Sequence, residues 1–234
     1  MAAGTGSRLQ PITREIPKPL IEVNGKKMIE TVIEGFIKNG ITEIYIVIGH
    51  LKEKFAYLPQ KYSEYRIILL ENPNYKTCNN ISSLYVARDH LENAIITDGD
   101  LIIHHADILN PHFDTSGYCS VWAEETDEWL QTVDEKDFVT FCSPTGGKKG
   151  WQLFSISFWT KADGLKLKKH LETLFIEKKK TDLYWDDVAM FYYKDDYRLK
   201  IKRINPGDVI EIDSLAELVA IDPTYEKISK QQEV

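Results

Sequence analysis

The chain carries "AAGTGSRL" at positions 2–9 and "PKPL" at positions 17–20, and these two segments decide how the rest is interpreted. Small residues in the first segment let backbone N–H groups approach a phosphate closely, and Arg8 adds a planar cation. Prolines in the second segment stiffen the backbone around Lys18, whose ammonium can neutralise another phosphate. A glycine loop alone is often only a turn, but both segments at this spacing predict a phosphate-binding loop. Its members are Ala2, Ala3, Gly4, Thr5, Gly6, Ser7 and Arg8.

No strand precedes this loop, although phosphate-binding glycine loops usually follow the end of a buried strand. Such a strand holds the backbone N–H groups of the loop in place against the charge of the ligand. We therefore expect one of two outcomes. Either the natural chain begins before Met1 and the preceding residues form the strand, or the first segment is poorly anchored in the structure.

Composition limits the class of protein. The 234 residues are 43% apolar and 28% charged, which suits one large α/β domain. A formal charge of −7 argues against a general nucleic-acid binder, since that task needs a basic face. Three isolated cysteines indicate neither a zinc site nor a disulfide framework and fit a reducing cytoplasm. The sequence has neither an apolar run of about 18 residues nor a signal peptide, so a soluble protein without a membrane span is expected.

Residues 28–100 alternate between helical and extended patterns. Apolar residues recur at helical spacing from 28 to 39, and a continuous apolar run at 43–49 predicts a buried strand. The pattern continues with helix 52–61, strand 66–72, helix 81–91 and strand 94–100. This alternation predicts an α/β fold of Rossmann-like type, with a mixed, mostly parallel central sheet flanked by helices.

The pattern loosens after about residue 115. Strands are predicted at 118–125, 137–143 and 150–160, with 143–150 as a hairpin between the last two, and a late strand at 199–205. Helices are predicted at 161–177, 182–190 and 214–220, the last one capped by Ser214. The polar tail at 227–234 is expected to fray. No linker divides the chain, so residues 1–234 are interpreted as a single domain whose acceptor-binding part spans about 115–200.

Carboxylates cluster at two distant positions. Asp98 and Asp100 close the strand predicted at 94–100, where open α/β sheets bind ligands, although two aspartates there can also simply solvate a turn. Glu211 and Asp213 precede the last predicted helix, where an acid also interacts favourably with the helix dipole. Carboxylates from two distant segments are suitable for Mg²⁺ that bridges nucleotide phosphates.

Two further regions have polar or aromatic character. Asn79, Asn80, Ser82 and Ser83 stand at the entrance of a predicted helix, where they can read the edge of a pyrimidine or serve as a helix cap. Most tryptophans are expected in the core, but Trp129, Tyr184 and Trp185 lie among acidic residues. Aromatic faces with a nearby carboxylate are suited to a quaternary ammonium, and Asp186 is the expected countercharge.

The N-terminal segments resemble the signature of the sugar-nucleotide pyrophosphorylase superfamily of nucleotidyltransferases. The resemblance extends along most of the chain. "NNISSLY" (79–85), "TDGD" (97–100), "DEWLQ" (127–131), "SISFWT" (155–160), "TDLYWDD" (181–187) and "VIEIDS" (209–214) are similar to segments of the bacterial phosphocholine cytidylyltransferases. This family activates choline phosphate with CTP, and its fold is the nucleotidyltransferase form of the Rossmann-like class.

The resemblance implies a role for each candidate residue. The loop at 2–8 would bind the CTP phosphates, while Arg8 and Lys18 offset charge at the α-phosphate and the pyrophosphate. Asp100 and Asp213 would hold Mg²⁺. The other implied nucleotide contacts are Asn80, Ser82, Ser83 and Asp98, and the implied acceptor contacts are Trp129, Tyr184, Trp185, Asp186 and Glu211. The reaction would be displacement at the α-phosphorus of CTP by a phosphate oxygen of phosphocholine, which releases pyrophosphate.

Other functions stay open. The acceptor can instead be a primary-amine phosphonate such as 2-aminoethylphosphonate, or a sugar 1-phosphate, although a sugar favours fewer aromatic residues. A nucleotide-binding regulatory module without turnover is a third possibility, against which the intact Arg8, Lys18, Asp100 and Asp213 argue. The sequence leaves open whether the chain forms a homodimer or is part of a larger polypeptide.

Overall fold

A computed structural model describes residues 1–230 of the chain. Its first half comprises β1 (Glu22–Val23), β2 (Lys26–Lys27), α1 (Met28–Lys38), β3 (Glu43–Ile48), α2 (Leu58–Lys61), β4 (Arg66–Glu71), α3 (Ile81–Val86), β5 (Ala94–Thr97) and β6 (Leu101–Ile103). The second half comprises β7 (Gly117–Thr126), β8 (Leu130–Val133), β9 (Val139–Ser143), β10 (Gly147–Trp159), α4 (Lys161–Leu171), β11 (Lys200–Arg203), β12 (Val209–Glu211), α5 (Leu215–Ile221) and α6 (Glu226–Lys230). Residues 231–234 of the polar tail lie outside the described part.

The strand and helix alternation of the first half is confirmed. β3 and β4 pair in parallel, with Ile44 opposite Ile67 and Ile46 opposite Leu69. α1 begins at Met28 and buries its apolar face in the main core, as its helical spacing predicts. The core-facing residues of this helix are Ile29, Val32, Ile33 and Phe36.

The second half forms a mixed sheet in the order β11-β7-β10-β8-β9, and β5 also pairs with β10. β7 and β11 are parallel, whereas β10 runs antiparallel to β5, β7 and β8. β12 pairs with β6 in a separate antiparallel ladder. The mixed sheet and flanking helices confirm the α/β class, and the antiparallel pairs lie mostly after residue 115.

Several predicted elements were wrong in detail. β10 does not pair with β9, so residues 143–150 are not a hairpin between paired strands; β10 pairs with β7 and β8 instead. β8 was missed because its buried Gln131 interrupts the apolar pattern; the Gln131 carboxamide oxygen accepts a hydrogen bond from the Ser120 hydroxyl. The helices predicted at 52–61 and 81–91 are shorter, because each is divided into a short α-helix and a 3₁₀ turn.

The helix predicted at 182–190 does not form at its start. The backbone N–H groups of Asn79 and Ile81 donate to the carbonyls of Thr181 and Leu183, at 2.7 and 3.3 Å. These tertiary hydrogen bonds hold the segment in an irregular path against the entrance of α3. Only Val188–Tyr192 is helical, as a π-helical turn.

The first residues of the chain are well anchored, so poor anchoring is excluded as an explanation of the unsupported loop. The Ala2 N–H donates to the Val47 carbonyl at 2.8 Å, and the Gly99 N–H donates to the Met1 carbonyl at 2.7 Å. Residues 1–3 therefore lie between β3 and β5. Upstream of this bridge, a groove of about 450 Å³ runs between the two strands, lined largely by apolar side chains. The strand expected before Met1 stays a prediction.

Within residues 1–230, no helix has both the length and the apolar character needed to cross a membrane.

Candidate active site

A cleft of about 340 Å³ brings together residues from five distant parts of the chain. Most residues that the sequence singled out line it: Ala2, Ala3, Gly4, Gly6, Ser7, Arg8, Lys18, Asn80, Ser83, Asp98, Asp100, Tyr184, Glu211 and Asp213. Thr5, Ser82, Trp129, Trp185 and Asp186 are not among its lining residues. The motifs that are far apart in sequence therefore form one site.

The glycine loop needs glycine at position 6. Gly6 has φ of 62° and ψ of 36°, a left-handed conformation that glycine adopts without steric penalty. A Cβ atom there would lie 2.9 Å from Cγ2 of Thr13 and 3.0 Å from Cβ of Lys18. The Thr13 hydroxyl also donates to the Gly6 carbonyl at 2.9 Å. This close packing holds the loop directly above Lys18.

Lys18 joins the two acidic segments. Its ammonium lies 2.6 Å from Oδ2 of Asp100 and 2.7 Å from Oδ1 of Asp213, and only 11% of its side chain is exposed. Burial alone lowers the pKa of Lys18, but Asp100 and Asp213 outweigh burial and raise that pKa above its usual value. Arg8 contacts Oδ1 of Asp213 at 2.9 Å, with 70% of its side chain exposed. The Lys18 ammonium is thus paired with both carboxylates, whereas most of the Arg8 side chain is exposed and available to a ligand.

The pairing of β12 with β6 brings the two aspartates together. Glu211, the last residue of β12, lies opposite Leu101, the first residue of β6, in this antiparallel ladder. Asp213, which follows β12, and Asp100, which precedes β6, therefore leave the ladder at the same end. Ser214 then starts α5 through a capping box with Glu217, as the sequence predicts for the cap. Asp213 is held at this position because its own N–H donates to the Glu217 carboxylate at 2.6 Å.

The cleft contains more carboxyl groups than cations. Burial, together with the charges of Asp100 and Asp213, raises the pKa of Glu211 to about 8. Burial also raises the pKa of Asp98 to about 6. Raised pKa values are expected where carboxyl groups share a poorly solvated site, and they indicate a site that favours additional positive charge.

The residues present fit a magnesium ion. Oδ1 of Asp100 is buried and has no hydrogen-bond partner among residues 1–230, and Asp213 lies within reach of the same ammonium. Mg²⁺ prefers hard oxygen ligands and takes only one or two protein carboxylates, the remainder being water and phosphate. No group of three or more His, Cys, Asp or Glu side chains in the described chain is arranged for a metal. The site therefore suits a cation shared with a bound phosphate.

The predicted base region is organised by a residue that the sequence analysis missed. The buried Asn72 side chain donates to the hydroxyls of Ser82 and Ser83, at 2.9 and 3.0 Å. Ser82 in turn donates to the Asn79 carbonyl, so its role is structural, whereas Ser83 and Asn80 line the cleft. The side chain of Asn80 does not cap the helix. Its Oδ1 accepts a hydrogen bond from the backbone N–H of Trp185 at 2.8 Å. Asn72 could have been found from the sequence, because it directly follows β4 and polar residues at the carboxyl ends of such strands commonly contribute to ligand sites.

The predicted acceptor residues separate into two groups. Trp129 packs edge-on against Tyr184 and Phe191, with ring centroids 6.2 and 5.3 Å away, and 52% of Tyr184 is exposed. We call these three residues the aromatic corner; Phe191 was not predicted. Trp185 is 1% exposed and packs in the core against Tyr118 and Trp159.

Asp186 is buried behind the cleft. The hydroxyl of Tyr118 lies beside its carboxyl group and interacts with it, although neither Oδ1 nor that hydroxyl makes a hydrogen bond of good geometry in the part of the chain that the structure describes. Burial raises the pKa of Asp186 well above its usual value, and the charge of Asp98 raises it further. Asp186 is therefore near enough to feel the charge of Asp98, which lines the cleft.

The adjacent His104 and His105 are not among the residues that line the cleft. His105 pairs with Asp208 at 2.5 Å, and the N–H groups of His104 and His105 donate to the Asp208 carbonyl. This contact fixes the turn before β12.

Comparison with known proteins agrees with this geometry. The family model described as nucleotidyl transferase matches residues 1–121. The 2-aminoethylphosphonate cytidylyltransferase of Lancefieldella rimae is 35% identical over 228 residues, spanning 96% of this chain and 91% of that protein. The choline-phosphate cytidylyltransferase of Streptococcus pneumoniae is 32% identical over 218 residues, spanning 93% of each chain.

A solved structure of CTP:phosphocholine cytidylyltransferase from Streptococcus pneumoniae superposes with a TM-score of 0.87 at 30% identity, covering 95% of this chain and 96% of that one. On these grounds the chain belongs to the nucleotidyl transferase family.

Proposed function

We propose that the protein transfers a cytidylyl group from CTP to a small phosphonate or phosphate that carries a positively charged amine, with release of pyrophosphate. The amine acceptor that the site favours is 2-aminoethylphosphonate. The observation that carries this choice is the pair of carboxyl groups at Asp98, which lines the cleft, and Asp186, which is buried behind it. The similarity to the Lancefieldella rimae protein supports the same choice.

The reaction needs little covalent assistance from the protein. A phosphonate oxygen is already an anion, so it can attack the α-phosphorus of CTP without a strong general base. The new P–O bond forms as the bond to the β-phosphate oxygen breaks, and pyrophosphate leaves with that electron pair. The main barrier is repulsion between two polyanions, which placed cations offset.

The chain supplies those cations and the positioning groups. The backbone N–H groups of the loop at 2–8 would face the triphosphate, and Arg8, largely exposed at the rim, would contact its outer oxygens. Asp100 and Asp213 would hold Mg²⁺, which when bound offsets the charge of the phosphates. Asn80 and Ser83 would contact the cytosine edge, because they are the polar side chains at the start of α3 that line the cleft.

A primary ammonium differs from a quaternary ammonium in carrying N–H groups that donate hydrogen bonds. Such an ammonium can therefore pair with the carboxyl group of Asp98, which lines the cleft, while Asp186 behind it adds negative charge when ionised. A quaternary ammonium has no N–H to donate and is bound mainly by aromatic faces. Because Trp185 lies in the core, it does not offer a face to the cleft.

Phosphocholine is the second candidate, and the aromatic corner favours it. Tyr184 lines the cleft and is half exposed, with Trp129 and Phe191 packed behind it. Such a corner can contact methyl groups on a cationic nitrogen. The Streptococcus pneumoniae relative, named for choline phosphate, supports this candidate.

Release of pyrophosphate from CTP distinguishes the candidates. The purified protein with Mg²⁺ is supplied in turn with 2-aminoethylphosphonate, phosphocholine, phosphoethanolamine and glucose 1-phosphate. We expect the highest kcat/KM with 2-aminoethylphosphonate. A higher kcat/KM with phosphocholine would transfer the assignment to the second candidate, and no release with any acceptor would refute the enzymatic proposal.

Variants of the acceptor region test the reason for the choice. Asp186→Asn keeps the shape of the side chain but removes its charge, and we expect it to raise KM for 2-aminoethylphosphonate by about tenfold or more. The matched control is Asp195→Asn, at an exposed aspartate in the turn before β11. Equal KM values for Asp186→Asn and the parent protein would contradict a role of Asp186 in attracting the amine.

A further inference from the structure

Lys18 occupies the position between the two carboxylates that fit a divalent cation. Its ammonium lies 2.6 Å from Asp100 and 2.7 Å from Asp213, whereas the exposed Arg8 reaches only Asp213. We propose that Lys18 and the divalent cation compete for this one position, so that the ammonium must move toward the triphosphate before the cation can bind both carboxylates. This inference rests on the proposed use of Mg²⁺ and CTP, and it adds an exchange of cations to that function.

Electrostatics require a cation at this position at all times. Asp98, Asp100, Glu211 and Asp213 all line the cleft, and Oδ1 of Asp100 is already buried without a partner among the described residues. Carboxylates brought this close repel one another unless a positive charge lies between them. The Lys18 ammonium, 2.6 Å from Asp100 and 2.7 Å from Asp213, supplies that charge.

The two cations cannot share the position. Mg²⁺ binds carboxylate oxygens at about 2.0–2.1 Å with nearly octahedral geometry. An ammonium that contacts the same oxygens would lie next to the ion with like charge and would obstruct its water ligands. Binding of a cation to both aspartates therefore requires that the ammonium leaves at least one of them.

The structure also provides a destination for the ammonium. The backbone of Lys18 lies in a 3₁₀ turn with proline on either side, and its Cβ packs under Gly6 of the phosphate loop. The base of the side chain is thus fixed, while its flexible four-carbon stem can redirect the charge. A rotation about the stem carries the ammonium from the carboxylates toward the phosphates that the loop would hold.

The exchange makes a measurable prediction about metal affinity in the absence of nucleotide. Mn²⁺ replaces Mg²⁺ as a probe, because free Mn²⁺ is counted directly by electron paramagnetic resonance. Removing the competing ammonium should strengthen binding of Mn²⁺ alone, so we expect Lys18→Met to bind Mn²⁺ about tenfold more tightly than the parent protein. A residue needed only for folding, or only for phosphate binding, would give unchanged or weaker Mn²⁺ binding.

Matched variants show whether the change in Mn²⁺ affinity comes from the charge at position 18. Lys18→Gln removes the charge and keeps a polar side chain, so it should repeat the gain if Lys18→Met folds poorly. Lys18→Arg keeps the charge and should leave the affinity near the parent value. Arg8→Met should give a smaller gain, because Arg8 contacts one carboxylate and is exposed. Lys148→Met, on an exposed strand segment far along the chain, should give none.

The outcomes separate this inference from the proposed function. Equal or weaker Mn²⁺ binding by folded Lys18→Met and Lys18→Gln, checked by circular dichroism, would overturn the exchange even if the parent protein converts CTP. A parent protein that releases no pyrophosphate with any acceptor would refute the function, whereas the comparison of Mn²⁺ affinities would still decide whether Lys18 and the cation compete.

Discussion

Glu211 lies directly opposite Leu101 in the ladder between β12 and β6, and this one backbone pairing places Asp213 beside Asp100. The two carboxylates are separated by more than a hundred residues in sequence, yet one ammonium contacts both. The predictions below concern this pair of carboxylates and the groups arranged around it.

Replacing either aspartate by asparagine should nearly abolish turnover. Asp100→Asn and Asp213→Asn each remove one charge from the cation position, and we expect kcat for pyrophosphate release to fall about 10²- to 10³-fold. Circular dichroism should show that both variants fold, since asparagine has the same shape. Asp195→Asn serves as the control, and turnover by either active-site variant near the rate of that control would contradict the assignment.

Gly6→Ala should weaken both the fold and nucleotide binding. The left-handed φ of 62° and a Cβ position 2.9 Å from Thr13 make any side chain unfavourable there. We expect the free energy of unfolding to fall by about 1 kcal/mol or more, with a higher KM for CTP. Gly4→Ala is the stability control, because nothing lies within 4 Å of a Cβ at that position. Similar urea denaturation of both variants would argue against a strained turn at Gly6.

Binding of an amine acceptor should strengthen as pH rises through the raised pKa of Asp186. Burial raises the pKa of Asp186 well above its usual value, so its carboxyl group loses a proton later than an exposed aspartate does. Only the carboxylate attracts an ammonium ion, and KM for 2-aminoethylphosphonate should therefore fall with increasing pH. Asp186→Asn should remove this component of the pH profile. Parallel profiles for the variant and the parent protein would exclude Asp186 as the titrating group.

A second pH effect should appear in stability. Burial lowers the pKa of His170, which stacks on Tyr193 at 3.7 Å and contacts the Tyr197 hydroxyl. The folded protein thus favours the neutral ring, whereas the unfolded chain takes up a proton near pH 6.5. The free energy of unfolding should therefore decrease as pH falls below about 6.5. Melting temperatures of His170→Gln should depend less on pH in this range, and an unchanged slope would contradict the prediction.

An apolar strand added before Met1 should stabilise the fold. Residues 1–3 bridge β3 and β5, and the groove upstream of them is lined by apolar side chains of both strands and of α1. An extension of about five β-branched residues would pair with both strands in parallel. We expect the free energy of unfolding to rise on the order of 2 kcal/mol, after the gain from burial is reduced by the entropy of ordering. A glycine and serine extension of equal length is the control, and equal melting temperatures would refute the prediction.

The sequence predicted which residues meet in the cleft better than it predicted which strands pair. The glycine loop, Lys18 and the aspartates belong to short contiguous motifs, so their chemistry is visible without a structure. The partners of β10 and the ladder between β6 and β12 depend on contacts between distant segments, for which periodicity carries no signal. Asn72 and Phe191 were missed for a similar reason: each acts through a neighbour in space.

Burial also changed how two aromatic residues are interpreted. Trp185 stands among acidic residues in the sequence, which suggested exposure, but it packs against Tyr118 and Trp159 in the core. The adjacent Tyr184 is exposed. Neighbouring residues on an irregular segment point in different directions, and no pattern in the sequence indicates which of the two faces the cleft.

The hydrogen bond from the backbone N–H of Trp185 to Oδ1 of Asn80 has a consequence for how specificity can evolve. It joins the helix entrance that would read the nucleobase to the segment that would select the acceptor. A substitution that reshapes the Thr181–Trp185 segment for a new acceptor therefore also displaces Asn80. Changes of acceptor and of nucleotide preference should be inherited together in this protein, so redesign of one pocket must include compensating changes in the other.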